Sequence, residues 1–131
     1  MDVLTRLTSE HDALRAYLER IQAAAEAHDA AALAASLETA RPTLTDELDA
    51  HIAVEEVEAF APLVQTLGDG LVESFYEDHV EIRILRDEVY TVLARGEAPF
   101  EASLHLCELI LAHQQREDLM LFPSAREALT R

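Results

Sequence analysis

The sequence has few of the residues that build disulfide-rich, strand-rich or membrane-spanning proteins. Its 131 residues include one cysteine, three glycines, four prolines and no tryptophan. The single cysteine, Cys107, cannot form an internal disulfide, which excludes a disulfide-stapled scaffold. No stretch approaches the roughly 18 consecutive apolar residues that a membrane-spanning helix needs, so we expect none.

Basic residues are scarce as well. Lysine and arginine together number 10 against 26 acidic residues, which gives a formal net charge of −16. Such a chain repels nucleic-acid phosphates and anionic lipids, so neither a nucleic acid nor a membrane is expected as a partner. Residues 1–20 carry charged side chains every few positions and contain no apolar segment of a secretory signal. We therefore expect a cytoplasmic protein.

The abundant residues favour helices. Alanine, leucine and glutamate dominate, and 50% of the residues are hydrophobic. No segment alternates apolar and polar residues for long enough to indicate a half-buried strand. The length suits one domain, so we predict an all-α protein with a single domain over residues 1–131.

Apolar residues recur with helical periodicity in four segments. These segments run from about Val3 to Ala27, from Ala30 to Leu67, from Leu71 to Ala94, and from Pro99 to Pro123, which ends or kinks the last helix. Asp2 and Asp29 are predicted to be N-caps, and Pro42 and Pro62 are expected to bend or loosen the second helix. Because the connections are short, neighbouring helices must be antiparallel, and we predict an up-down four-helix bundle.

Six polar residues fall on the apolar stripes of these helices. Each helix contributes one histidine, and the second and fourth helices add a glutamate one turn later: His11, His51 with Glu55, His79, and His113 with Glu117. On a helix, residues i and i+4 lie on the same face about 6 Å apart. Each His-x-x-x-Glu pair can therefore direct two ligands towards one point in the core.

The two His-x-x-x-Glu segments form a weak internal repeat. A phenylalanine follows each histidine by nine residues, as Phe60 and Phe122. The prolines that follow, Pro62 and Pro123, differ by one position in their spacing, so the repeat is approximate.

Metal binding has to be weighed against a plain helical bundle that uses no metal. A lone core histidine is more often a hydrogen-bonded structural group than a ligand, and so acidic a chain contains some His-x-x-x-Glu spacings by chance. Burying four imidazoles and two carboxylates together is costly unless something neutralises them, and two cations do so. We therefore predict metal binding by these six residues and assign no metal role to His28, His105 or Cys107.

One geometric difficulty remains for straight helices. His51 lies well before the Gly68 turn, whereas His79 follows Gly70 by only a few residues. At 1.5 Å per residue the two histidines would differ in height by roughly 12 Å. A bend at Pro62 would remove most of this difference.

The order His, His-x-x-x-Glu, His, His-x-x-x-Glu resembles the hemerythrin-like, or HHE cation-binding, domain family. The acidic Glu10 before His11 and the Phe122-Pro123 pair that closes the fourth helix also fit, so the resemblance covers nearly the whole chain. It implies a four-helix bundle around a non-haem di-iron centre with an oxo or hydroxo bridge. It further implies one assignment of ligands: Glu55 and Glu117 bridge the irons, His11 and His51 bind one iron, and His79 and His113 bind the other.

The third helix departs from the oxygen-carrying members of that family. Those proteins place two histidines four residues apart on this helix, whereas here the neighbours of His79 one turn away are Phe75 and Arg83. The departure counts against reversible oxygen carriage. It leaves one more open metal position than five histidines would, which favours two-electron chemistry with peroxide. A rearrangement could still close a position with one of three side chains: Tyr76, Asp78 or Glu56.

Histidine and carboxylate ligands favour iron over zinc, although manganese or a mixed pair also fits. Our first hypothesis is a di-iron protein that reacts with a small oxidant: dioxygen, hydrogen peroxide or nitric oxide. Within it we favour peroxide removal in oxidative-stress defence, an activity like that of a di-iron catalase or peroxidase, with no catalytic residue beyond the metal ligands. The alternative is a module that binds, senses or stores dioxygen or iron without turnover. The electron donor and the oligomeric state stay open.

Overall fold

The computed structural model describes residues 2–129, and this part of the chain forms four long helices joined by short turns. They are α1 (Val3–Glu26), α2 (residues 30–67), α3 (Glu73–Ala94) and α4 (residues 100–129). The four predicted helical segments are confirmed. The largest differences are that α3 begins at Glu73 rather than Leu71, and that α4 continues past Pro123, which was expected to end or kink it.

Both predicted N-caps are confirmed. The Asp2 and Asp29 side chains accept hydrogen bonds from the backbone N–H groups of Thr5 and Ala32, at 2.8 and 3.0 Å. These bonds satisfy amide groups that the first turn of a helix leaves without a partner. At the other end of α2, Gly68 has φ +84°, a left-handed conformation that glycine adopts without strain.

Three wide π turns interrupt the two longer helices. One lies in α2 at Thr43–Glu47, the second in α2 at Glu56–Phe60, and the third in α4 at Glu117–Leu121. Each lies within two residues of a proline, which has no N–H and so cannot continue the ordinary hydrogen-bond ladder. The prolines therefore alter α2 and α4 locally without ending them.

The positions of two π turns account for the imperfect internal repeat. The turns Glu56–Phe60 and Glu117–Leu121 each end two residues before a proline, Pro62 and Pro123 respectively. The turn therefore begins one residue after Glu55 in α2, but at Glu117 itself in α4. The one-residue difference in proline spacing is matched by a one-residue shift of the π turn.

The described helices pack as the predicted antiparallel up-down bundle, with two apolar clusters stacked along its axis. One cluster contains the C-terminal half of α1, the first two-thirds of α2, the C-terminal half of α3 and the start of α4. The other contains the opposite end of every helix. This alternation is what antiparallel neighbours require. On each helix, the predicted metal-site residues lie between the two clusters.

Two polar side chains of α3, Arg86 and Tyr90, make hydrogen bonds with the first part of α2. The buried Arg86 guanidinium donates to the Leu44 carbonyl at 3.2 Å and to the Asp49 carboxylate at 2.6 Å. The Tyr90 hydroxyl donates to the Leu37 carbonyl at 2.8 Å. These bonds hold α3 against the first π turn of α2. Within residues 2–129, none of the helices is long and apolar enough to cross a membrane.

Candidate metal centre

All six residues predicted as ligands converge between the two apolar clusters. They come from all four helices and are buried, apart from His51, whose side chain is 11% exposed: His11, His51, Glu55, His79, His113 and Glu117. The 12 Å height difference expected for straight helices is absent, because His51 and His79 both contact Glu55. The i, i+4 spacing brings each glutamate to its own histidine, as periodicity predicts.

The Glu55 carboxylate lies between two pairs of histidines. Its Oε2 atom is 3.1 Å from Nε2 of His51 and 3.7 Å from Nε2 of His11. Its Oε1 atom is 2.7 Å from Nε2 of His79 and 3.9 Å from Nε2 of His113. The two oxygens of one side chain therefore face different histidine pairs.

Glu117 repeats this arrangement from the opposite side. Its Oε1 atom is 3.2 Å from Nε2 of His11, and its Oε2 atom is 3.0 Å from Nε2 of His113 and 3.8 Å from Nε2 of His79. Two groups of potential metal ligands result, each with ligand atoms within 4.8 Å of one another: Glu55, His79, His113 and Glu117 in one, and His11, His51 and Glu55 in the other.

Each of the four histidines is also held by a second carboxylate on its outer nitrogen. The Nδ1-to-oxygen contacts are Glu10 to His51 at 2.8 Å, Glu56 to His79 at 2.8 Å, Asp78 to His113 at 2.9 Å, and Asp118 to His11 at 3.0 Å. An ionised carboxylate only accepts hydrogen bonds, so each Nδ1 carries a proton and donates it. Each Nε2 then points into the centre, where it can bind a cation.

These four contacts form a closed ring around the bundle. The acid on each helix contacts the histidine on the next helix: from α1 to α2, from α2 to α3, and from α3 to α4. The acid on α4 contacts the histidine on α1 and so closes the ring. We did not predict this ring from the sequence. The sequence feature that could have indicated it is that each of the four acids is the immediate sequence neighbour of a predicted ligand. Asp78 and Glu56, considered as extra ligands, lie against Nδ1 atoms on the outer side of the imidazoles.

Phenylalanines of the internal repeat cover two of the histidines. In each case the phenylalanine and the acid four residues before it contact the same histidine on the next helix. Glu56 and Phe60 contact His79, and the two stacked rings are 5.2 Å apart. Asp118 and Phe122 contact His11, and their stacked rings are 5.4 Å apart. The Tyr76 ring, another considered ligand, packs edge-on against Phe60 at 5.0 Å. The repeat therefore encodes both the ligands and part of the shell that orients them.

The centre concentrates charge in a dry environment. Burial disfavours protonation of His11, but hydrogen bonds to Asp118 and the two central glutamates outweigh it and raise its pKa to about 11. The same balance raises the pKa of His113 to about 10 and that of His79 to about 9. Burial also opposes ionisation of Glu55, yet hydrogen bonds within the cluster hold its pKa well below the ordinary value. A cation bound here supplies the positive charge that these protons otherwise supply, so cations and protons compete.

Four buried polar atoms of the centre lie 2.7–3.2 Å from charged neighbours but make no well-aligned hydrogen bond. They are Glu55 Oε1, both carboxylate oxygens of Glu117, and Nε2 of His113. Such atoms normally cost free energy unless something engages them. All four belong to the groups whose atoms converge, and nitrogen with carboxylate oxygen is a donor set that iron or manganese accepts. The residues therefore fit a bound metal.

Three residues that received no metal role lie away from the centre. The exposed His28 packs its ring against Phe100 at 4.6 Å, and His105 lies on the exposed face of α4. Cys107 is buried, its sulfur is 3.6 Å from the Leu18 carbonyl oxygen, and burial raises the pKa of its thiol to about 12.

Sequence comparison agrees with this geometry. The family described as the hemerythrin HHE cation binding domain matches residues 2–125, a range that includes all six converging side chains. Comparisons with curated proteins and with solved structures gave no significant match. Domains of the matching family bind metal cations, typically iron, and the His/Glu cluster described above could hold a metal. The match spans far more than half of the chain, which therefore belongs to the hemerythrin HHE cation-binding domain family.

Proposed function

We propose that this protein holds a pair of non-haem irons and reacts with a small oxidant, and that its activity is the removal of hydrogen peroxide. One observation carries the proposal. Each of two buried carboxylates, Glu55 and Glu117, turns one oxygen towards each histidine pair, as a ligand shared between two metal ions does.

The distances support an assignment of each half. His11 and His51, with one oxygen from each glutamate, would hold the first iron. His79 and His113, with the opposite oxygens, would hold the second. The two carboxylates offset half the charge of two iron(II) ions, and the neutral imidazoles complete the donor set without adding charge.

Paired irons supply two-electron redox chemistry when bound. Peroxide disproportionation balances without an external electron donor. One hydrogen peroxide gains two electrons and two protons and gives two waters. A second loses two electrons and two protons and gives dioxygen.

The chain's own residues provide orientation and a dry pocket for such a reaction. The four outer carboxylates keep each Nε2 directed inward. Aliphatic side chains line the space beside the cluster, among them Ile52, Ile82 and Ile110. Gln114, which is 3% exposed and has an unpartnered Oε1, is the neutral amide in that lining. It can exchange hydrogen bonds with a small oxygen-containing molecule held there.

Metal analysis and peroxide consumption test the proposal together. Protein expressed with added iron is expected to contain about two irons per chain and to absorb in the near ultraviolet through an oxo-to-iron transition. Hydrogen peroxide added in large excess should then be lost over many turnovers, with one dioxygen released for every two peroxides.

Two controls separate the alternatives. Glu117→Gln, which keeps the size of the side chain, should lower the iron content and abolish turnover. One stoichiometric oxidation of the wild type without turnover would favour the binding, sensing or storage module instead. A fully folded protein that takes up no iron would overturn the proposal.

A further inference from the structure

A pocket of about 470 Å³ opens between α1 and α2, directly beside the metal centre. His11 and His51 line it, together with Leu14 and Leu48. The volume is far larger than a molecule of dioxygen or peroxide needs. Exposed residues such as Ala13 also line it, so the pocket opens to solvent beside the half of the centre that contains these two histidines.

The first π turn of α2 contributes part of the pocket's lining. Pro42 ends the ordinary hydrogen-bond ladder, and the wide turn Thr43–Glu47 follows it. The first and last residues of that turn, Thr43 and Glu47, line the pocket, and Glu10 lines it from α1. Both glutamates are largely exposed, so this side of the opening is acidic.

A second, inner space of about 10 Å³ lies within the His/Glu cluster. The inner space and the outer pocket have three lining residues in common: His11, His51 and Leu48. Leu48 is thus the one residue outside the predicted ligands that borders both. Its side chain is 6% exposed and, with His11 and His51, forms the boundary that the two spaces share.

The other half of the centre is covered by aromatic rings. Phe60 stacks on His79 at 5.2 Å, and Phe75 meets His113 edge-on at 5.7 Å. Both phenylalanines are buried. Phe122 covers His11 in the first half, but the His51 side chain is 11% exposed, against 1% for His79 and 4% for His113, so the two halves differ in their access to solvent.

We propose that small uncharged molecules reach the centre through the α1–α2 pocket and past Leu48, and that Glu10 and Glu47 disfavour the approach of anions. The inference rests on the proposed function, whose oxidants dioxygen, hydrogen peroxide and nitric oxide are all uncharged.

The charge at the opening is tested with an anion and a neutral molecule. Azide binding to the oxidised, iron-loaded protein and nitric oxide binding to the reduced protein are followed by stopped-flow absorbance. Glu47→Arg should accelerate azide binding about threefold to tenfold and leave nitric oxide binding unchanged. Asp46→Arg is the matched control, because Asp46 is exposed on the same turn and does not line the pocket. An equal effect of the two substitutions on azide would overturn the inference.

Substitutions that change the size of the side chain at the boundary test whether Leu48 limits access to the inner space. Leu48→Ala should accelerate both azide and nitric oxide binding about tenfold, because the reaction rate follows access to the inner space. Leu44→Ala, one turn earlier on α2, removes a similarly buried leucine that lines neither space and should leave both rates unchanged. Should either alanine variant fail to fold, Thr43→Trp at the opening should slow both ligands, whereas Thr45→Trp, outside the pocket, should not. Unchanged rates in Thr43→Trp would contradict the path.

A metal-free measurement separates this inference from the proposed function. Dissolved dioxygen increases the relaxation of methyl protons that it approaches, which NMR detects without iron. The Leu14 and Leu48 methyl groups should relax severalfold faster than those of Leu18 and Leu33, which are fully buried away from the pocket. Equal relaxation at all four leucines would refute the path. Selective relaxation in a chain that binds no iron would uphold the path and refute the di-iron function.

Discussion

The Asp118 carboxylate on α4 lies 3.0 Å from Nδ1 of His11 on α1, and this contact closes the ring in which each helix orients the histidine of the next. Asp118 directly follows Glu117, so one short segment of α4 both enters the centre and holds a residue of another helix. The other three acids likewise adjoin a central residue: Glu10 before His11, Glu56 after Glu55, and Asp78 before His79. In each of these four pairs of adjacent residues, one residue is a predicted metal ligand and the other contacts a histidine of a neighbouring helix.

The ring predicts which outer acid matters for which metal. Asp118→Ala should weaken cation binding at the His11 and His51 half about 10-fold to 100-fold, because the imidazole loses the acceptor that orients it. Asp78→Ala should weaken the other half by a similar factor. Titration with cobalt(II), followed by its visible absorbance, resolves the two sites. Asp118→Asn keeps an acceptor oxygen, so its cation affinity should fall less than that of Asp118→Ala.

A matched control for these variants is available on α1. Asp12 is exposed and bonded to Arg15, so Asp12→Ala removes an acidic residue without touching a histidine. It should leave both cobalt affinities unchanged. Equal weakening of the two halves by Asp118→Ala would contradict the ring as the orienting device.

Removing one central histidine should remove one metal. His11→Ala and His79→Ala affect different groups of ligand atoms, so each variant is expected to retain about half of the bound iron. Glu55→Gln should reduce the occupancy of both metal positions, because the two oxygens of Glu55 face different histidine pairs. Iron analysis of purified protein measures this directly, and an identical loss from all three variants would argue against two separate positions.

Metal removal should lower the thermal stability. A cation present at 100 times its dissociation constant stabilises the folded state by about 2.7 kcal/mol if it does not bind the unfolded chain. For a domain of this size, that corresponds to a shift in Tm of about 10 °C. Calorimetry before and after treatment with a chelator measures the shift. A plain helical bundle that uses no metal predicts no change.

Arg86 is expected to stabilise the first π turn of α2. Arg86→Ala deprives the buried Leu44 carbonyl of a hydrogen bond and should lower the free energy of unfolding by about 1–3 kcal/mol. Urea unfolding of the metal-free protein checks this. Arg83→Ala, one turn earlier on α3, should cost less than about 0.5 kcal/mol, as substitutions away from buried contacts do. Equal costs for the two arginines would refute the assignment.

The Cys107 thiol is expected to resist modification until the protein unfolds. Burial raises its pKa to about 12 from an ordinary value of 9.0, so the reactive thiolate is rare in the folded state. Because the thiol of the unfolded chain ionises near pH 9, the stability of the folded protein should fall as the pH rises from 9 towards 12. Iodoacetamide labelling at pH 8 should be slow, and urea should make it fast. Rapid labelling of the folded protein would show that the thiol is accessible.

Much of the centre was predictable because each helix obeys a local period. His11 occupies a position where the stripe of α1 calls for an apolar residue, and an imidazole there must face inward. The i, i+4 spacing of His51 with Glu55 and of His113 with Glu117 follows from 3.6 residues per turn. Capping by Asp2 and Asp29 was predictable for the same reason, since a cap contacts only its own first turn.

The orienting acids were not predictable in this way. Glu10 and Asp78 each precede a histidine by one residue, so on a helix they lie about 100° around the axis from it. Helical periodicity therefore predicts that they are exposed on the surface. Whether such a side chain meets solvent or a neighbouring helix depends on which helix packs beside it. That choice is made by long-range packing, which a local period does not contain.

The sequence by itself determined which side chains face inward, because burial of apolar stripes and the geometry of a single helix are local properties. Only the tertiary structure decided at what height they meet. The segment Ala61–Leu67 runs on to pack against Phe122–Leu129, and the chain turns back through residues 68–72 before α3 begins at Glu73. His79 thereby reaches Glu55, because the relative height of two helices is set by the connection and the packing between them, and not by either helix alone.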